Sequence, residues 1–256
     1  MGHFSSKTVK DIKDEFAQAS MMEFSTLLDK YNSDNRKGVK TLCKQYKRRL
    51  DEYYAELARI DTMSRFDRQY YSKGIVCGID EVGRGPLAGP VVACAVILPK
   101  DCNILYINDS KKLSEKKRES VYDEIISTAV AYGIGIVEAD VIDELNILES
   151  TYEAMRRAIN NLSIKPDIIL NDAVTIPDVS IDQVPIVKGD AKSISIAAAS
   201  IIAKVTRDRM MIAYDEIYPG YNFTKNKGYG SKEHISALKT KGISPIHRRH
   251  FIKNIV

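Results

Sequence analysis

The sequence predicts an α/β domain, a mixed sheet covered by helices, preceded by a small all-α extension. Three observations carry this reading. After residue 73, short apolar runs rich in β-branched residues alternate with longer segments of helical periodicity, the pattern of strands covered by helices. Residues 74–98 read GIVCGIDEVGRGPLAGPVVACAVIL, two such runs around a Gly/Pro-rich turn, which signals a hairpin. Residues 5–70 carry helical spacing and no strand-like run.

The extension comes first in the chain. Phe16, Met21, Met22, Phe24, Leu27 and Leu28 recur near helical spacing, and a second pattern runs from Val39 to Tyr71 through Leu42, Tyr46, Leu50 and Leu57. Asn32–Asn35 reads as the turn and cap between them. The domains are therefore expected at 1–72 and 73–256. Beyond the hairpin, Ser114 caps a helix expected over 115–131, Ala131–Ala139 reads as a strand, and 140–162 as two short helices. Pro166–Asp172 (PDIILND) and Pro185–Asp190 (PIVKGD) read as further strands. Residues 193–214 form a long helix whose Ala197, Ala198, Ala199 and Ala203 suit close packing on a sheet.

Composition narrows the function classes. With 256 residues, 44% of them hydrophobic and 28% charged, the chain is an ordinary globular protein. No apolar run approaches the ~20 residues of a membrane span, and the charged first 19 residues are unlike a secretory signal, so a cytoplasmic location is expected. Cys43, Cys77, Cys94 and Cys102 lack paired metal-binding spacing and read as reduced packing residues. The net charge of +4 lies wholly in residues 1–73, which hold 15 Lys and Arg against 11 Asp and Glu. Within them, Arg36–Arg49 carries seven basic residues and no acid, which suits either a solvated helix face or contact with a phosphate backbone.

Chemistry concentrates at the ends of the apolar runs. Asp80 with Glu81, Asp172, and Asp190 each close one of them, and strand ends in an open α/β sheet converge on one crevice. Clustered carboxylates need compensation, and hard oxygen donors without His or Cys select Mg²⁺ or Mn²⁺. Two such ions suit phosphodiester hydrolysis. Adjacent strand residues face opposite ways, so Asp80 and Glu81 act together only where the strand twists or ends. Beside them, Gly83, Arg84 and Gly85 offer close backbone approach and a guanidinium fork, without the spacing of a Walker loop. Lys111, Lys112, Lys188, Lys192, Lys204 and Arg207 are candidate phosphate contacts, although salt bridges on a helix face explain several equally well. His234, His247 and His250 share no metal spacing with the acids, and HRRH reads as structural. Asn171 is a candidate for orienting Asp172.

The motifs IDEVGRGPLAGP (79–90), DSKKLS (109–114), KGDAKSISIAAASIIAKVTRD (188–208), KGYGSKEH (227–234) and HRRHF (247–251), with the Asp172 strand end, resemble bacterial ribonuclease HII across nearly all of residues 74–256. The resemblance implies a ribonuclease H-like fold. It also implies endonucleolytic cleavage of RNA in RNA/DNA hybrids and at single ribonucleotides in duplex DNA, by two Mg²⁺ or Mn²⁺ ions. Asp80, Glu81, Asp172 and Asp190 match the catalytic acids and metal ligands. Gly83, Arg84 and Gly85 match the reader of the 2'-hydroxyl, which only ribose carries. Tyr229 matches the tyrosine on the next deoxyribose sugar. Ribonuclease HIII is disfavoured by Arg84, where that group has lysine, and by the helical extension. A non-catalytic hybrid-binding protein is the alternative from another class, disfavoured by the intact four acids. A monomer is expected, and a helical nucleic-acid clamp is the expected role of the extension.

Overall fold

The computed structural model describes residues 7–255, so residues 5 and 6 of the helical reading lie outside it. The described residues form two compact units that divide between Arg59 and Ile60. The first contains α1 (Val9–Gln18), α2 (Glu23–Tyr31) and most of α3 (Lys37–Arg68). Thr8 and Asp11 close α1 with a reciprocal capping box. Ile12, Phe16, Phe24, Val39, Tyr46 and Leu50 make its core, with the Phe16 and Tyr46 rings stacked at 4.4 Å.

The last turns of α3 belong to the second unit. Ile60 and Met63 join the core there, and buried Asp67 accepts a 3.0 Å hydrogen bond from the Ser195 amide. That amide is one of the unpaired donors at the start of α7 (Ile194–Ile217), so a carboxylate from α3 completes the α7 cap made by Ser193. These contacts place the packing boundary earlier than the 72/73 division expected from sequence.

The sheet order is β3-β2-β1-β4-β5. The hairpin supplies β1 (Val76–Val82) and β2 (Val91–Ile97), α4 (Glu115–Thr128) follows, and β3 (Ala131–Val137) pairs antiparallel with β2. α5 (Ala139–Leu145) and α6 (Ile147–Asn160) lead to β4 (Ile168–Asp172) and β5 (Asp182–Ile186), and β1, β4 and β5 run parallel. β2 is buried throughout because both its faces are covered: Val92, Cys94 and Val96 join the core with α4 and α7, while Val91, Ala93 and Ala95 join the core with α6. α7 lies so close to β1 that a Cβ on Gly78 would stand 2.2 Å from the Ser195 carbonyl carbon. α8 (Phe223–Asn226), α9 (Lys232–Lys241) and α10 (Arg249–Ile252) complete the chain.

Two elements differ from expectation. The helix expected to 131 stops at Thr128, because the chain turns there into β3. Only Pro185 and Ile186 of PIVKGD are strand: they end the edge strand β5, and Asp190 sits beyond it in a 3₁₀ turn, Gly189–Ala191, entered through Lys188 at φ 59°. All four cysteines are free thiols, three of them buried. Among the described residues no helix is long and apolar enough to cross a membrane.

Candidate active site

The parallel pairing of β1 with β4 ends at Ile79 beside Asn171, so one residue further on Asp80 and Asp172 stand side by side where the two strands part. Asp80 is only 6% exposed. Burial first, then the charges of Glu81 and Asp172, push its carboxyl well above the usual carboxylate range. Glu81 is raised by burial and by Asp172, against the lowering effect of Arg84, whose Nη1 stands 3.4 Å from Oε1. β1 therefore continues through the acidic pair, yet both carboxyls sense Asp172. The Asp172 carboxylate accepts a 2.7 Å bond from the Gly189 amide, which ties β4 to the turn holding Asp190. Asp190 is raised by burial, Asp109 and Asp172, and lowered by Lys111.

Asp80, Glu81 and Asp172 thus sense one another's charge, and Asp190 senses that of Asp172. Among the described residues, no three His, Cys, Asp or Glu side chains stand as an assembled ligand cluster. The donor set nevertheless fits a hard divalent cation: every group is a carboxylate, and the most buried of them contacts no basic side chain among the described residues. One neutral group supports Asp80 instead: its Oδ1 accepts the Glu81 amide at 2.8 Å. The Ser200 hydroxyl on α7 favours the charged form of Asp80 against its burial. The Ser110 and Ser200 oxygens lie 3.1 Å apart, which ties the DSKKLS loop to α7.

The glycine triplet forms a second region. Gly83 has φ 92°, and a Cβ there would meet the Arg207 Nε at 2.3 Å. Gly85 is exposed, and the nearest atom to a Cβ built on it is a Tyr229 ring carbon at 3.8 Å. The structure therefore brings together the two elements expected to read the sugar. Both rest on buried arginines. Arg207 donates to the Pro90, Ala88 and Lys227 carbonyls at 2.8–3.0 Å, and Arg248 donates to those of Gly83, Arg84 and Gly89 at 2.5–3.0 Å. Burial lowers Arg207 to about 10 and, with repulsion from Arg207, Arg248 to about 9, so both stay charged at neutral pH.

A histidine pair fixes Tyr229 from behind. The Ser244 amide donates to His247 Nδ1 at 2.9 Å, so that nitrogen carries no proton. His247 Nε2–H then donates to His234 Nε2 at 2.9 Å, and His234 Nδ1–H donates to the Tyr229 carbonyl at 2.9 Å. Only one pair of neutral tautomers satisfies this chain.

Several expectations are corrected. Arg207 is fully buried and its fork is occupied by carbonyls, so it is not a phosphate contact. Lys204 is bound to Asp208 at 2.7 Å. Lys111, Lys112, Lys188 and Lys192 are exposed. Asn171 does not orient Asp172: its amide donates to the Val174 carbonyl and Gln183 Oε1, anchoring the loop before β5. Sequence reasoning missed Ser110, Ser200 and Asp109 near the acids, and the scaffold role of Arg207, Arg248 and the two histidines. A serine closing the Ala197–Ala199 run of α7 is the available signal for Ser200.

The Ribonuclease HII family model matches residues 77–254, and the Ribonuclease HII N-terminal domain model matches residues 8–71. The chain is similar to ribonuclease HII of Lachnoclostridium phytofermentans, 59% identical over 96% of this chain and 97% of that protein. Among solved structures, ribonuclease H2 of Pyrococcus horikoshii is 31% identical with TM-score 0.60, covering 70% of this chain and 96% of that one. A Bst ribonuclease HIII structure in complex with Mn²⁺ is 17% identical with TM-score 0.54, covering 69% and 67%, a likeness of fold.

Proposed function

The chain belongs to the ribonuclease HII family of ribonuclease H endonucleases, and on that premise we propose that it hydrolyses the RNA strand of RNA/DNA hybrids and incises 5' to single ribonucleotides in duplex DNA, leaving 3'-hydroxyl and 5'-phosphate ends. What supports this reading is the mutual electrostatic influence of Asp80, Glu81 and Asp172, the tie of Asp172 to the Asp190 turn, and the approach of Gly85 to the Tyr229 ring. Family enzymes use divalent metal ions. In this chain Asp80, Glu81, Asp172 and Asp190 would hold two Mg²⁺ or Mn²⁺ ions. Bound there, the ions supply an activated water and charge stabilisation at the leaving oxygen.

The remaining work falls to protein groups. The backbone of Gly83–Gly85 pairs with the 2'-hydroxyl, which both donates and accepts. The Tyr229 ring lies against the next sugar and leaves no room for another hydroxyl. Exposed Lys111, Lys188 and Lys192 hold the backbone phosphates. The enzyme acts as a monomer in this reading.

The test is incubation of a DNA duplex containing one ribonucleotide with Mg²⁺ or Mn²⁺. Incision 5' to the ribonucleotide, abolished by chelator and by Asp80→Asn, is the expected result. Tight binding without cleavage under either ion overturns it in favour of a hybrid-binding protein.

A further inference from the structure

The basic run of the first unit resolves into two classes once its contacts are known. Three of its seven basic residues are engaged. Arg36 forks onto the Asp34 carboxylate, Arg49 lies over the Phe24 and Tyr46 rings at 5.3 and 5.1 Å, and Arg48 stands 3.4 Å from Glu52. The other four, Lys37, Lys40, Lys44 and Lys47, are all exposed and have no ion-pair partner among the described residues. At ~100° per residue they fall within an arc of about 80° on α3, off the buried line of Val39, Tyr46 and Leu50. Asp29 and Asp51 border the same groove, beside Lys40, Lys44 and Lys47, without pairing to them.

We propose that this lysine comb is a docking surface for the phosphate backbone of the nucleic-acid duplex, an inference that rests on the nuclease reading above. Lys37 to Lys47 spans about 15 Å of helix axis, and a duplex presents one phosphate per strand for each ~3.4 Å, so about four phosphates lie along the comb. Four ammonium groups that form no ion pair among the described residues lose side-chain freedom only when they bind, and each phosphate met releases counterions. Hydrophobic packing explains Val39, Tyr46 and Leu50 on the same helix but places no demand on the lysines. The surface is sequence-blind: point charges on flexible stems hold phosphates and read no base edge. The first unit thereby adds affinity for the duplex while the choice of cleavage site stays with the sugar-reading loops.

The experiment is anisotropy of a labelled RNA/DNA hybrid with the full-length chain in chelator, titrated over a range of salt. Replacing all four lysines by glutamine is expected to flatten the slope of log Kd against log salt by about 3.6 and to weaken binding by about 1,000-fold near 0.1 M salt. The pair Lys44→Gln with Lys47→Gln should flatten it by about 2, whereas the charge-matched pair Lys10→Gln with Lys13→Gln on α1 should not. Circular dichroism reports whether the helices are retained. An unchanged slope in the comb variants, or an equal loss in the α1 control, overturns the proposal. A wild-type chain that neither binds nor cleaves the hybrid overturns the nuclease reading itself, so the two failures are distinguishable.

Discussion

The buried acids and the glycine-triplet and Tyr229 loops are neighbours built on opposite principles. In the loops, each of the polar groups that shape the backbone has its partner: two guanidinium forks on carbonyls, and two imidazoles in a single tautomer chain ending on Tyr229. Among the acids, Asp80 is buried beside like charges and supported by the Glu81 amide. The difference separates recognition from chemistry. A loop that must distinguish one hydroxyl gains from rigidity, so its interactions are complete within the chain. A crevice that must hold cations gains from carboxylates kept close against their mutual repulsion, which costs stability.

That contrast breaks most sharply at Asp80. Asp80→Asn should lower cleavage by at least about 10³-fold, because a charged ligand is lost. The same substitution should raise stability in chelator by about 1–2 kcal/mol, read as a higher Tm, because it removes a desolvated charge beside Glu81 and Asp172. Asparagine Oδ1 still accepts the Glu81 amide. A variant that loses both activity and stability contradicts the contrast, since Asp80 would then belong to the scaffold.

Arg248 is the corresponding point in the loops. Arg248→Met should cost about 3–5 kcal/mol, because three carbonyls of the glycine-rich turn lose their donors in a buried site. For a chain of this size that is a fall in Tm of roughly 10 °C. Arg248→Lys should recover little, since one ammonium cannot reproduce a planar fork that reaches Gly83, Arg84 and Gly89 together. Thermal melts of the two variants beside Asp80→Asn give opposite signs if the two regions are built as described.

What sequence made legible follows the same divide. Asp80, Glu81, the glycine triplet and Asp172 stand out because local pattern places them: an apolar strand ending in charge, a turn needing φ > 0, a short strand closing on an acid. Asp190 reads as the end of a strand and lies instead in a turn beyond it, because Pro185–Val187 is apolar enough to read as strand to its end, while the exit turn depends on the Gly189 amide reaching Asp172. Arg207 and Arg248 were not legible as scaffold. Their partners are carbonyls up to 165 residues away in the chain, and a carbonyl leaves no mark in a sequence. The seven basic residues of the extension were visible as a run, but which four remain unpaired depends on Asp34, Phe24, Tyr46 and Glu52 arriving from the fold.

The histidine pair sharpens the contrast through pH. Burial, with repulsion from His234, lowers His247 from 6.5 to about 4, and burial also lowers His234. Protonating His247 would aim an Nδ1–H at the Ser244 amide, and protonating His234 would aim an Nε2–H at that of His247. The Tyr221 and Phe223 rings pack against both imidazoles, so no carboxylate in contact stabilises the cation. The unfolded chain therefore binds more protons between pH 6.5 and about 4, and the stability contributed by the neutral pair is complete above pH 6.5 and lost as pH falls through that window. By pH 5 the loss should reach about 2 kcal/mol. Phe replaces His247 without a titrating group, so His247→Phe should be less stable at neutral pH, because the Ser244 amide and the His234 ring lose their partner, but should show a flatter stability profile from pH 7 to 5. Equal slopes in wild type and variant would mean that the imidazole pair does not hold the Tyr229 loop.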